Sequence, residues 1–357
     1  MAARTEPLRP RARLEVAAAR VIGALPATAK RRLAGEPIRR DGLELDLDMQ
    51  VLLKLAERDL QPPLTGRTAA EARAELREAV RPLEGPPIAV ASVRETTIAG
   101  AAGPLRARLF APPEAQEQPE GAGGPLVVYF HGGGWTAGDL DTHEQPCRLL
   151  AKTSGARVLS IEYRLAPEHR FPAGVEDALA AFRDAVAQAD ELGADPSRIA
   201  VAGDSAGGHL AAVTAQLCAA EGGPAPAFQL LIYPVTDCAH VSHSRVTFAE
   251  GFVLTKANME WYEEQLLGPD GERGDTRVSP LLAQDLRGVA PALVVTAGFD
   301  PLRDEGEAYA RRLREAGVRA ILRRHAGYVH GFIHALALGA GPRQAIAEMG
   351  GVLQATL

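Results

Sequence analysis

The sequence predicts an α/β protein built on a mainly parallel sheet with helices on both faces. Three observations lead to this. From Leu126 onward, short β-rich runs alternate with helical stretches, which is the pattern of a parallel sheet covered on both sides. Several of these runs end in glycine-rich or polar loops that carry chemically capable residues, and sites in open parallel sheets lie at the carboxyl ends of the strands. One run, Ile199–Ala202, passes through Gly203-Asp204-Ser205-Ala206-Gly207 straight into a helix that begins at Ala206. A G-x-S-x-G pentapeptide between strand and helix is the setting of a nucleophile elbow. An ordinary strand-to-helix turn is the plainer alternative.

The predicted strands are Leu126–Phe130, Val158–Glu162, Ile199–Ala202, Phe228–Tyr233, Leu293–Ala297 and Arg319–Arg324. The predicted helices are His143–Ser154, Gly174–Ala189, Ala206–Glu221, Arg303–Ala316 and Pro342–Leu357. Ahead of them, Ile88–Ile98 and Pro104–Phe110 alternate as strands and pair across a Gly100–Gly103 turn. Residues 1 to about 80 read as helical. A stripe from Leu14 to Leu25 stops at Pro26, and a second from Asp48 stops at Pro62-Pro63. Thr68 with Glu71 is a capping-box signature that opens a helix over Ala69–Val80. Between Tyr233 and Leu293 about sixty residues carry no sheet strand, with one helix over Lys256–Leu267 capped by Thr255. An insertion of that length in a compact domain is usually functional, so it and the N-terminal helices are read as lid segments, with simple packing as the alternative.

Composition narrows the function classes. A formal net charge of −6 argues against nucleic acid as the main partner. Cys147, Cys218 and Cys238 have no C-x-x-C spacing and read as reduced thiols, not a disulfide framework or a metal site. No apolar run reaches membrane-spanning length, and Glu15 and Arg20 interrupt the segment that would have to serve as a signal-peptide core. A cytoplasmic protein is the resulting expectation. Residues 1–40 hold ten Lys or Arg against three Asp or Glu. This reads first as a solvated amphipathic helix. Weak contact with an anionic membrane surface or partner is the alternative.

A serine hydroxyl needs an adjacent base and donors for the oxyanion formed on acyl attack. Phe130-His131-Gly132-Gly133-Gly134-Trp135 follows a strand and precedes the elbow, as an oxyanion loop of the H-G-G-G type does. The amides of Gly133, Gly134 and Ala206 are the candidate donors. His131, at the root of this loop, reads as a structural hydrogen-bonder. In the chain order serine, acid, histidine, the candidate bases are His209, His240, His243, His325, His330 and His334. His330 is the assignment, because it lies in the loop after the last strand, with His334 in reserve. Asp300, just past a strand end and followed by Pro301, is the candidate acid. Asp304 and Glu305 are rivals by type, but the first turn of a helix favours acids in any case.

With these parts in order, the sequence resembles the α/β-hydrolases, and within them the hormone-sensitive-lipase-like esterases, the bacterial family IV carboxylesterases. The motifs are His131–Trp135, Tyr163-Arg-Leu-Ala-Pro-Glu-His-Arg-Phe-Pro-Ala-Gly-Val-Glu-Asp-Ala178, Gly203–Gly208, Asp300–Glu305 and His330-Gly-Phe332. The Gly-Asp-Ser-Ala-Gly form points to the subgroup with aspartate before the nucleophile. The resemblance implies an eight-stranded, mostly parallel sheet with helices on both faces and a helical cap. The expected division is 1–85 as an N-terminal part of the cap, 86–235 as the first part of the core, 236–290 as the cap insertion and 291–357 as the rest of the core. The resemblance also implies a Ser205–His330–Asp300 triad, and it makes Tyr163–Ala178 a structural loop with Arg164 and Glu168 in ion pairs or hydrogen bonds. The last strand and final helix become a candidate homodimer surface. The expected activity is hydrolysis of short- to medium-chain carboxylic esters, the partner a small-molecule ester, with no metal or organic cofactor. Amidase, lactonase or arylformamidase chemistry on the same triad is the alternative, and so is a non-catalytic small-molecule receptor such as the gibberellin receptors.

Overall fold

The computed structural model describes residues 21–58, 64–116 and 123–357. The basic Arg4–Arg13 segment, most of the Leu14–Leu25 stripe and Pro62-Pro63 lie outside these residues. Eight strands form one sheet. They are β1 (Ser92–Gly100), β2 (Gly103–Ala111), β3 (Gly124–Phe130), β4 (Arg157–Ile161), β5 (Ala194–Asp204), β6 (Gln229–Ile232), β7 (Ala292–Phe299) and β8 (Ala320–Val329). Their spatial order is β8-β7-β6-β5-β3-β4-β2-β1. All neighbouring pairs are parallel except β1 with β2 and β2 with β4. The hairpin closes where Gly100 pairs with Gly103, at the turn read from the sequence.

Period-two alternation splits the core between the two faces of the sheet. On β3, Leu126, Val128 and Phe130 enter one apolar cluster, and Val127 and Tyr129 enter the other. Ile199 and Val201 of β5 divide from Ala200 and Ala202 in the same way. These strands are buried on both faces, so their sequences read as continuous apolar runs and not as alternation. Helices α1 (Ala27–Ala34), α2 (Leu47–Arg58) and α3 (Ala69–Val80) precede the sheet. Within the α/β part lie α4 (Glu144–Ser154), α5 (Ala173–Ala187), α6 (Ala206–Glu221), α7 (Lys256–Leu267), α8 (Arg303–Glu315) and α9 (Gly341–Thr356). Helices α5, α6 and α8 fill the first cluster, and α2, α4 and α9 fill the second.

The capping box at Thr68 and Glu71 is present in both directions, and Thr255 caps α7 by accepting from the Asn258 amide. A small third cluster of Leu64, Ala72 and Trp261, with Tyr262 packed on it, joins the N-terminal region to the insertion. Among the described residues, no helix is long and apolar enough to cross a membrane.

Several elements differ from the sequence reading. β1 starts at Ser92 and β5 at Ala194, and a short antiparallel ladder of Arg39–Arg40 with Leu43–Glu44 interrupts the region read as helical. Pro26 does more than stop a helix. It occupies the N-cap of α1, where its missing N–H costs nothing. The last strand also runs past Arg324 to Val329, with a register irregularity between His325 and Val329. Partners supplied from outside its own sequence window hold this extension. The Asp46 amide donates to the Gly327 carbonyl at 2.9 Å, and Val329 pairs with Phe299. The irregularity and extension bring the chain to His330 beside the end of β7.

Gly298 marks how closely β7 and this extension approach, since a Cβ there would lie 1.9 Å from the Ala326 carbonyl oxygen. We therefore expect Gly298→Ala to push away the segment that carries His330. The variant should lose about 1–3 kcal/mol of stability, the cost of overpacking, and should lose activity beyond what its folded fraction explains. Urea unfolding together with specific activity measures both.

Candidate active site

Three strand ends and the chain that follows them build the site. At the end of β5, Ser205 takes φ 55° and ψ −118°, a strained conformation for a residue with a Cβ. Its amide donates to the Ile232 carbonyl at 2.8 Å, and its carbonyl accepts from the His209 amide at 3.0 Å. The flanking glycines are there because of crowding. A Cβ on Gly203 would lie 2.3 Å from Gly207, and one on Gly207 would lie 1.9 Å from the Phe130 carbonyl oxygen. Ser205 is thus pushed out at the head of α6.

His330 Nε2 lies 3.0 Å from Ser205 Oγ, and His330 Nδ1 lies 2.8 Å from Asp300 Oδ2. A carboxylate only accepts, so Nδ1–H donates to Asp300 and Nε2 keeps a lone pair for the serine hydroxyl. Asp300 is fully buried, and its other oxygen accepts the Leu302 amide at 2.9 Å. The carboxylate is therefore fixed before the histidine meets it.

The rival residues are engaged elsewhere. Asp304 accepts from the Ser244 amide and from Arg303 Nε, each at 2.8 Å. Glu305 is buried and takes Arg245 Nε at 2.8 Å and the Thr236 amide at 2.8 Å. His240 rests on Asp237 and His243 on Asp41. Burial pushes the His209 ring down to about 4, and its Nδ1 accepts from Trp135 Nε1 at 3.1 Å while its Nε2–H donates to the Arg277 carbonyl at 3.0 Å. His325 stacks on Tyr328 with ring centroids 5.2 Å apart.

The glycine loop after β3 turns back on itself. Gly133 and Gly134 have φ of 115° and 59°, and the Gly133 carbonyl accepts from the amides of Thr136 at 3.1 Å and Ala137 at 2.8 Å. Among the described residues, the amides of Gly133, Gly134 and Ala206 donate to no protein acceptor. His131 stacks on Tyr163 with centroids 4.4 Å apart, and Tyr163 Oη donates to the His131 carbonyl at 2.8 Å. Burial pushes the His131 ring down to about 4.

The sequence marks Asp204 only as the residue before the nucleophile in the elbow and gives no sign of its partners. Its side chain is buried. Oδ1 accepts from Tyr129 Oη at 2.8 Å and the Gly132 amide at 2.9 Å, and lies 3.2 Å from His143 Nε2. Tyr129 falls within a predicted strand and His143 at a predicted helix start, and neither carries a signal of this contact. His143, Asp204 and His334 offer buried ligand atoms that all lie within 4.8 Å of one another. The Tyr129, Gly132 and His143 contacts already crowd Asp204 Oδ1, so the donor set fits a hydrogen-bonded carboxylate better than a metal centre. Burial alone would raise the Asp204 carboxyl, but the His143 ring, the His334 ring and the Tyr129 hydroxyl together more than reverse this and hold it below the usual carboxylate range. With a folded pKa lower than the unfolded one, its contribution to stability is complete above about pH 4 and is lost on acidification below that. Asp204→Ala should leave three buried groups without their acceptor and cost about 3 kcal/mol or more at pH 7. Asp204→Asn, which keeps one acceptor oxygen, should cost less. Urea unfolding of both variants checks the order.

The chain's similarity to known proteins agrees with this geometry. A family described as the alpha/beta hydrolase fold matches residues 127–334. The carboxylic ester hydrolase LipN of Mycobacterium tuberculosis is 44% identical over 95% of this chain and 90% of that protein. The ethyl acetate hydrolase of Pseudomonas putida is 39% identical over 82% of this chain and 92% of that one. Among solved structures, an ester hydrolase from the metagenome of Lake Arreo, complexed with a derivative of bipyridine phosphonate, matches with a TM-score of 0.82 at 44% identity, covering 87% of this chain and 98% of that one. The chain belongs to the α/β-hydrolase family.

Proposed function

We propose that this protein is a serine carboxylesterase acting on short- to medium-chain carboxylic esters. The observation that carries the reading is the continuous chain Ser205 Oγ–His330 Nε2–His330 Nδ1–Asp300 Oδ2, with links of 3.0 and 2.8 Å. Ser205 Oγ attacks the ester carbonyl carbon while His330 Nε2 takes its proton. Asp300 keeps the ring in the tautomer that can accept and steadies the imidazolium once it forms. The amides of Gly133, Gly134 and Ala206 receive the oxyanion, with the N-terminus of α6 adding its positive end. His330 then returns the proton to the departing alcohol, leaving an acyl group on Ser205. Water gives a proton to the same nitrogen, attacks the acyl carbon, and releases the acid.

The names of relatives support ester over amide: one is called an ethyl acetate hydrolase and another a carboxylesterase. The former also supports small acyl groups. All three triad side chains are present and joined by hydrogen bonds, which sets this reading above a receptor that has lost a triad member. The three cysteines are free and buried, which supports a reducing, cytoplasmic setting.

Initial rates on p-nitrophenyl acetate, butyrate, octanoate and palmitate test the proposal. Butyrate should exceed palmitate, and Ser205→Ala should lower kcat/KM by about 10⁴-fold or more. Faster cleavage of palmitate would reject the chain-length assignment, and undiminished turnover by the variant would reject the nucleophile.

A further inference from the structure

Helix α3 belongs to the N-terminal region, to which the motifs assign no chemistry, yet it reaches the glycine loop. Its first turn is locked by the capping box of Thr68 and Glu71, and Ala72 anchors it beside Leu64 and Trp261. From this fixed base Arg73 reaches the turn that follows the glycine loop. Arg73 Nε donates to the Thr136 carbonyl at 2.8 Å. Its Nη2 donates to the Ala166 carbonyl at 3.0 Å. The same fork makes a bidentate pair with Glu168, at 2.9 and 2.6 Å, and holds that carboxyl down to about 2.

The two carbonyls link the helix to the site. Thr136 lies in the turn that folds over Gly133, since its own amide donates to the Gly133 carbonyl. Ala166 lies in the Tyr163–Ala178 loop, and its amide donates to the Trp135 carbonyl at 2.9 Å. One guanidinium therefore ties both sides of the Gly133–Thr136 turn to a single helix. A second contact comes from the insertion: a Cβ on Gly134 would lie 2.2 Å from Tyr262 Cγ, so the ring of Tyr262 covers that peptide.

We propose that Arg73 is a positioning residue for the oxyanion hole, holding the Gly133–Thr136 turn to helix α3 so that the cap and the oxyanion loop act as one unit. The proposal rests on the esterase reading, in which Gly133 and Gly134 donate to the oxyanion. Only a planar fork with five donors can serve Thr136, Ala166 and Glu168 together. A lysine keeps the charge but cannot span the three acceptors.

The full-length wild type, Arg73→Ala and Arg73→Lys are compared for kcat and KM on p-nitrophenyl butyrate, for inhibition by a trifluoromethyl ketone that adds to the serine as a tetrahedral oxyanion, and for Tm. If Arg73 positions the hole, kcat falls roughly ten- to a hundredfold in Arg73→Ala with KM nearly unchanged. The ketone's Ki rises by a similar factor, and Arg73→Lys recovers little of either. A kcat and Ki close to wild type in Arg73→Ala, whatever happens to Tm, would overturn the proposal. Should Arg73→Ala fail to fold, Arg73→Lys and Arg73→Gln keep most of the side-chain length, and wild-type kcat and Ki in those two would overturn it equally. A wild type that neither hydrolyses the ester nor binds the ketone would instead bring down the esterase reading.

Discussion

The carbonyl of Phe130 and the backbone of Gly207 approach so closely that no side chain fits between them. This contact joins the end of β3 to the elbow after β5, two strands paired in register through Phe130 and Gly203. Much of the site follows from it. The glycine loop leaves β3 already beside the serine, and the head of α6 points its free amides into the same space. Asp204 sits where it can take the Gly132 amide from the loop above. The strained torsions of Ser205 persist because neighbours on both sides fix them.

The second organising feature is the placement of the acids. The site region contains several buried carboxylates, and each has its own donors. Asp300 faces His330, Asp204 faces Tyr129, Gly132 and His143, and Glu305 faces Arg245. Buried charges are tolerated when hydrogen-bonded in this way, and of these three carboxylates the one bonded to His330 is Asp300. The neutral histidines around the site play a different part. His209 holds Trp135 of the glycine loop to the Arg277 carbonyl of the insertion, and His131 packs flat on Tyr163. Both are scaffold.

Much of this was legible in the sequence because the relevant signals are local. Short β-rich runs separated by helical stretches mark the six parallel strands. The capping box at Thr68 is legible from the three-residue spacing to Glu71, and the cap at Thr255 from a threonine directly ahead of a helical stretch. The β1–β2 hairpin was read from alternation around a glycine turn. What stayed hidden depends on contacts between distant segments. The extension of β8 to Val329 draws on Asp46 and Phe299, neither near it in sequence. Tyr129 looks like any core aromatic until Asp204 is seen beside it, and Arg73 looks like a solvated helix arginine until Thr136 and Ala166 are placed under it. The resemblance implies ion pairs or hydrogen bonds for Arg164 and Glu168 without naming their partners. The structure supplies the partners, Asp177 for the first and Arg73 for the second.

The central claim is that Ser205, activated by His330, is the nucleophile. Covalent labelling with a p-nitrophenyl phosphonate, followed by intact-mass measurement and peptide mapping, tests it most directly, because the phosphonate reacts far faster with an activated nucleophile than with an ordinary side chain and stays attached. The account predicts a single adduct on Ser205 that forms far more slowly when His330 is replaced by alanine. An adduct on another residue, or labelling at an undiminished rate without His330, would contradict it.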